Sequence, residues 1–293
     1  MKKFLLTLFL VMSINICSAQ IKMMYDTEKN EKEKIESFMS SGFSGIKITR
    51  VDTDEIDWQQ DSAQIIYIDV DRNNNIYTET NFSPQYSKTI IKFDRNVSSR
   101  EIFNENKQLL GKTLYYYNAQ GNLEKRELYF GDLKAFDEIY EYEYERLNKM
   151  KYVMSDGSLV SYSIFAFDNA NNLIEEIKYN SNDEAEYKYE YSYSTESRLS
   201  EERIILNKDN VTVVNYSYNK DGKLIGKVTQ SKGIQTSNVK YVFLEGNLTE
   251  EIYDTPELKT KKTYTFKDGL LSQIKFLELT DMSSYVWIYD YVK

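Results

Sequence analysis

From about residue 110 to the end of the chain, apolar and polar positions alternate with a period of two, broken at near-regular intervals by short polar runs. Tyr187, Tyr189, Tyr191 and Tyr193 alternate with Lys188, Glu190 and Ser192, and Tyr140, Tyr142 and Tyr144 alternate with Glu141 and Glu143. A strand turns successive side chains to opposite faces, so this period puts the tyrosines on one side and the charges on the other. Aromatic-x-aromatic triplets recur seven times, ending at Tyr117, Tyr144, Phe167, Tyr193, Tyr218, Phe243 and Phe266. Six residues after the first five of these stand Leu123, Met150, Leu173, Leu199 and Leu224, and five residues after the last two stand Leu248 and Leu271.

Between the two anchors lies a turn signal. Gly121, Asn148, Asn171, Ser197 and Gly222 come four residues after the second aromatic, and Gly246 and Gly269 come three after it. Glycine and asparagine tolerate the positive φ that tight hairpin connections demand. Each unit therefore reads as strand, polar turn, strand. The fold class expected is all-β: an antiparallel meander of about seven repeated hairpins over residues 110–293, forming a twisted or curled sheet. Residues 20–109 are expected to cap it. Thr27 to Met39 reads as one short helix, with Ile35, Phe38 and Met39 as its apolar stripe, and Ile46 to Val51 and Ile65 to Val70 read as strands.

The unit Tyr216-Ser-Tyr-Asn-Lys-Asp-Gly-Lys-Leu224 resembles the YD repeat of RHS-type proteins. The resemblance covers roughly residues 110–293, with a poorer copy around Ile91-Lys92-Phe93-Asp94. The aspartate after the aromatic survives only as Asp168, and the arginine before the leucine only as Arg198. The resemblance implies stacked hairpins. The chain is too short to form the closed shell of RHS toxins.

The first residues carry a separate signal. Lys2 and Lys3 precede an apolar run from Phe4 to Ile16, and Cys17-Ser18-Ala19 offers small residues before Gln20, so residues 1–19 read as a secretory signal peptide cleaved after Ala19. The mature chain is expected to be exported, to the periplasm, the cell surface or the medium, without a membrane span. Cleavage removes two lysines and the single cysteine, taking the formal net charge from −9 to −11. With no histidine and no mature cysteine, imidazole bases, serine–histidine catalysis and thiolate or imidazole metal sites are excluded. The acidic balance disfavours nucleic acid as a partner. A protein or a glycan fits better, and no cofactor is expected.

The remaining chemistry rests on carboxylates and phenols. Asp69-Val-Asp-Arg-Asn-Asn-Asn75 alternates oxygen donors as a calcium loop does, but lacks its glycine and has Thr80 in place of the closing glutamate, so it reads as a polar turn. Glu175-Glu176, Glu201-Glu202 and Glu250-Glu251 recur in register with the repeat, and alternation sends one member of each pair outward. A catalytic pair would be expected once rather than once per hairpin. The densest tyrosine ladder, Tyr187, Tyr189, Tyr191 and Tyr193, is the candidate binding face. An outer-membrane barrel fits the alternation but not the tyrosine-rich face. The expectation is a non-enzymatic interaction or scaffold protein. A carboxylate-only glycan hydrolase and an acidic immunity partner of a basic toxin are the alternatives.

Overall fold

The computed structural model describes residues 43–52, 65–82, 86–94, 96–207, 209–280 and 283–292. The expected helix and the signal peptide lie outside them. The described residues form twenty β-strands and no helix. They fall into two compact units, one holding the chain up to Leu109 together with Val239–Lys293, the other Leu110–Asn238.

The first unit contains β1 (Gly45–Asp52), β2 (Ile65–Asp71), β3 (Ile76–Asn81), β4 (Ser87–Asp94) and β5 (Asn96–Phe103), and at the far end of the chain β17 (Asn247–Asp254), β18 (Lys259–Lys267), β19 (Leu270–Glu278) and β20 (Ser284–Val292). The second contains β6 (Leu109–Tyr117), β7 (Leu123–Phe130), β8 (Leu133–Glu143), β9 (Arg146–Met154), β10 (Leu159–Phe167), β11 (Leu173–Asn180), β12 (Ala185–Tyr193), β13 (Leu199–Asn207), β14 (Asn210–Tyr218) and β15 (Leu224–Ser231), while β16 (Ile234–Leu244) spans the boundary. Within the second unit each strand pairs antiparallel with the next in sequence from β6 to β15. In the first, β17 to β20 and β1 to β5 are two such runs.

Those two runs are joined, and here the expectation of a seven-hairpin meander capped by residues 20–109 is overturned. β20 pairs with β1 over eight positions, from Gly45↔Val292 to Asp52↔Tyr285. The twenty strands belong to one sheet in which the last strand is bonded to the first. The N-terminal strands are rungs of the ladder and not a lid on it. The physical reason is the edge: an open sheet leaves two rows of unpaired N–H and C=O groups, and pairing β1 with β20 satisfies both. Local alternation specifies each hairpin but carries no information about whether the two ends meet.

The repeat itself is real, and its register is uniform. The second aromatic of a unit stands directly opposite the anchor leucine, as Tyr117↔Leu123, Phe167↔Leu173, Tyr193↔Leu199, Tyr218↔Leu224 and Phe266↔Leu271, each time with a β-bulge beside the pair. One expected register is corrected. In the second unit of the repeat the equivalent pair is Tyr142↔Leu147, not Tyr144 with Met150. Tyr144 and Glu145 are the two residues of a tight turn with φ of 50° and 64°, and Tyr144 is 90% exposed. Phe93↔Val97, with its own bulge, extends the series toward the N-terminus.

Two turn chemistries serve the repeat. In the longer form the residue after the second aromatic accepts backbone N–H groups on its side chain. Asn118 Oδ1 takes those of Gln120 and Asn122, Asp168 Oδ1 that of Asn172, Ser194 Oγ those of Glu196 and Arg198, and Asn219 Oδ1 those of Asp221 and Lys223. The fourth residue onward from the aromatic then takes positive φ: Gly121, Asn171, Ser197 and Gly222. Aspartate, asparagine and serine are thus interchangeable there because each offers one short acceptor. In the shorter form both central residues have positive φ, as at Glu245-Gly246 and Asp268-Gly269.

Candidate functional site

The second unit has two unlike faces. On the more open one, mid-strand positions carry ion pairs: Lys188 Nζ lies 2.6 Å from Glu175 and 3.0 Å from Glu190, and Arg203 reaches Glu190 at 3.7 Å. Near the β7–β8 hairpin, Glu127 accepts from Lys125, Lys134, Tyr116 and Tyr129. These bonds, that from Lys125 foremost, lower its carboxyl to about 2.

The opposite face holds the candidate site. It is built from two tiers of each repeat, and tyrosine serves in both. In the outer tier the second aromatic donates its hydroxyl to the carbonyl of the anchor leucine one repeat earlier. Tyr142 bonds Leu123 at 2.8 Å, Tyr193 bonds Leu173 at 2.8 Å, Tyr218 bonds Leu199 at 2.9 Å and Tyr291 bonds Leu271 at 3.0 Å. A phenylalanine would fill the same space but leave the bond unmade. Tyr289-Asp290-Tyr291 is thus a further aromatic-x-aromatic triplet that the sequence reading missed. Its position 25 residues after Phe266 was the available signal.

In the inner tier, three residues after the anchor leucine, stand Arg126, Glu176, Glu202, Lys227 and Glu251. The bulge beside the anchor leucine offsets the alternation, so each faces the same side as the leucine, opposite the first aromatic of its unit, as in Tyr115↔Arg126, Phe165↔Glu176, Tyr191↔Glu202 and Tyr216↔Lys227. Glu176, Glu202 and Glu251 are all buried, whereas Glu175, Glu201 and Glu250 are not. Neighbouring phenols and cations hold the buried carboxylates. Tyr216 donates to Glu202 at 2.7 Å. Tyr264 donates to Glu251 at 3.2 Å, and Lys262 bonds the other oxygen at 3.0 Å. Glu138 has the same environment, with Arg126 Nε at 2.6 Å and the Tyr140 hydroxyl at 2.8 Å.

Glu176 differs. It is fully buried, and among the described residues its one hydrogen bond comes from the Ser163 hydroxyl at 3.3 Å and its Oε2 has no partner. Burial raises its carboxyl to about 7, and the neighbouring Glu202 pushes the same way.

The tyrosine ladder nominated from sequence runs beside this pair. Tyr187, Tyr189 and Tyr193 are half-buried and Tyr191 is buried at 5% exposure. The rings of Tyr187 and Tyr189 meet edge-on at 5.1 Å, and those of Tyr189 and Tyr191 stack at 6.3 Å. Burial and the field of Glu176 raise the phenol of Tyr187. The ladder therefore sets Tyr189 beside Glu176 and Tyr191 beside Glu202 as cross-strand partners. Among the described residues no cluster of three or more potential metal ligands is found. In the acidic loop, Asp71 is engaged in its own turn, accepting from the backbone of Asn73 and Asn74 and from the Asn74 amide.

Apolar exposure is concentrated at one end of the second unit. Leu110, Phe130, Leu133, Leu206 and Ile234 are each half exposed or more and lie at the strand ends away from the repeat turns. At the repeat-turn end of that unit Tyr144 matches them, as Leu244 does beside the Glu245-Gly246 turn of the first unit.

No family model and no curated protein sequence matches the chain. Among solved structures it is similar to a porin-like protein from Bacteroides uniformis, with 12% identity, a TM-score of 0.38, and 85% of this chain and 97% of that one covered. It is also similar to TcdB2-TccC3 without its hypervariable C-terminal region, with 11% identity, a TM-score of 0.34, and 80% and 17% covered. A porin-like protein from Bacteroides vulgatus is similar at 12% identity, a TM-score of 0.26, and 85% and 98% covered. By its own strand register, the chain is an all-β repeat protein.

Proposed function

We propose that this is an exported, non-enzymatic interaction or scaffold protein whose framework is a YD-like β-hairpin repeat. One observation carries the reading. The buried glutamates Glu176, Glu202 and Glu251 occupy one register position in three of the repeats, and the last two are held there by tyrosine hydroxyls. Such a series supports a structural use of the carboxylates, because a hydrolase needs one facing pair around a cleft. The shared acceptor role of Asn118, Asp168, Ser194 and Asn219 in the turns supports the YD-like assignment. Mid-strand ion pairs at Lys188 and Glu175 on the open face of the second unit favour an aqueous environment over lipid, which requires an apolar band there. The exposed side chains Phe130, Leu133 and Ile234 suit a protein partner more than nucleic acid.

The test is hydrolysis of a panel of polysaccharides, read as released reducing ends, by the mature protein and by Glu202→Gln. The expected result is no release by either and a lower melting temperature for the variant. Release by the wild type that Glu202→Gln abolishes without loss of stability would establish the hydrolase instead. Export is read separately, from the N-terminus of the protein recovered outside the cytoplasm, expected at Gln20.

A further inference from the structure

We propose that Glu176 is a proton-dependent latch on the β11–β12–β13 seam, held as the neutral acid when the seam is closed and loosening it on ionisation. A carboxylate removed from water needs a counter-charge or several donors. Glu176 has one hydroxyl donor, Ser163 on β10, and an unpartnered Oε2. The groups facing it from each packed element are few. On its own strand Lys178 is the one cation, and its Nζ is committed to Glu186 at 3.0 Å. β10 presents Ser163 and, directly opposite, Phe165. β12 presents Tyr189 opposite, with Tyr187 and Tyr191 on either side, and Glu186 beyond. β13 presents Glu202 across the tyrosine strand, paired to Tyr191.

Ionisation would thus put a second negative charge on the face that already holds Glu202, among phenols that accept no charge. The proton leaves to solvent, and no other bond changes. Burial and Glu202 both favour the acid form, while the Ser163 bond and the Lys178 field oppose them, with the balance at about 7. The folded value lies above the ordinary 4.5, so the folded state binds the extra proton between the two. Stability relative to a neutral side chain therefore falls as pH rises through that window and stays low above it. Two interruptions of the ladder flank the glutamate. The β11–β12 pairing contains a bulge between Lys178 and Tyr179, and the β12–β13 pairing another between Ser192 and Tyr193.

The experiment uses the whole mature chain, with thermal melting of the wild type, Glu176→Gln and Glu202→Gln from about pH 5.5 to about pH 8.5. Infrared difference spectra over the same range follow the protonated-carboxyl C=O band. The melting temperature of Glu176→Gln minus that of the wild type is expected to grow with pH. The wild type should show one carboxyl band at about pH 6 that Glu176→Gln removes. In Glu202→Gln the band should persist and its midpoint move to lower pH. A difference in melting temperature that is constant with pH, or the absence at about pH 6 of a band sensitive to Glu176→Gln, would overturn the latch. If Glu176→Gln does not fold, the wild-type band and its shift in Glu202→Gln decide the question: a shifted band supports the latch, and no band or no shift overturns it.

Discussion

Replacing Tyr142 with phenylalanine isolates one hydroxyl. That hydroxyl donates to the Leu123 carbonyl at 2.8 Å and ties one repeat to the preceding one. The ring stays, so the apolar packing is unchanged and only the hydrogen bond is lost. A net hydrogen bond contributes about 0.5–1.5 kcal/mol, and a half-buried carbonyl left without this donor puts the loss near the upper half, about 1 kcal/mol. For a chain of this length that is a fall of about 2–4 °C in melting temperature. The control is Tyr144→Phe, two residues away on a 90% exposed turn position, expected to change nothing measurable. Tyr193→Phe and Tyr218→Phe break equivalent bonds to Leu173 and Leu199 and should each cost about the same. Repeats two strands apart are about 10 Å apart, so the triple variant should lose about 3 kcal/mol, nearly the sum. Equilibrium unfolding in urea, followed by circular dichroism and tyrosine fluorescence, measures all five. Equal losses for Tyr142→Phe and Tyr144→Phe would refute the register.

Three further outcomes follow from the turns and the rim. Gly222→Val should destabilise by about 1–3 kcal/mol, because φ is +78° and the new Cβ would lie 2.7 Å from the Arg198 guanidinium; Lys220→Ala in the same turn should have no effect in the same urea melts. Asn219→Ala should cost about 1–2 kcal/mol by leaving the N–H groups of Asp221 and Lys223 without their acceptor, whereas Asn219→Asp should be tolerated, as Asp168 is in its own turn. Phe130→Ser combined with Leu133→Ser should reduce binding of an apolar dye such as ANS without lowering the urea midpoint, since both side chains are more than two-thirds exposed; an unchanged dye signal would place the apolar surface elsewhere.

The repeat was legible because it is written twice, once in aromatic and leucine spacing and once in turn residues. Where the two disagreed, spacing misled. Tyr140, Tyr142 and Tyr144 all alternate correctly, and nothing in the triplet says that the chain turns at Tyr144-Glu145 with both residues at positive φ. Only the buried Leu147, a better anchor than Met150, would have moved the register by two. The glutamate pairs were read correctly as one member out. The depth of the inner member was not readable, because alternation tells which side a residue faces and not how completely the neighbouring strands cover it. The nominated ladder fell next to that acidic pair because Tyr189 and Tyr191 are the cross-strand neighbours of Glu176 and Glu202. Closure was the least legible feature, since it joins residues 45–52 to 285–292 and no local pattern links them.

That closure is tested most directly by a disulfide across it. Lys47 and Asp290 are partners in the β1–β20 ladder, both outside the buried face that holds Ile46 and Ile48. The variant Lys47→Cys with Asp290→Cys, in a chain beginning at Gln20 and so free of Cys17, should oxidise to an intramolecular bridge under mild conditions. The expected result is a monomer with faster non-reducing mobility and a tryptic disulfide peptide linking the two ends of the chain. Free thiols, or bridges only between molecules, would contradict the joining of the first strand to the last.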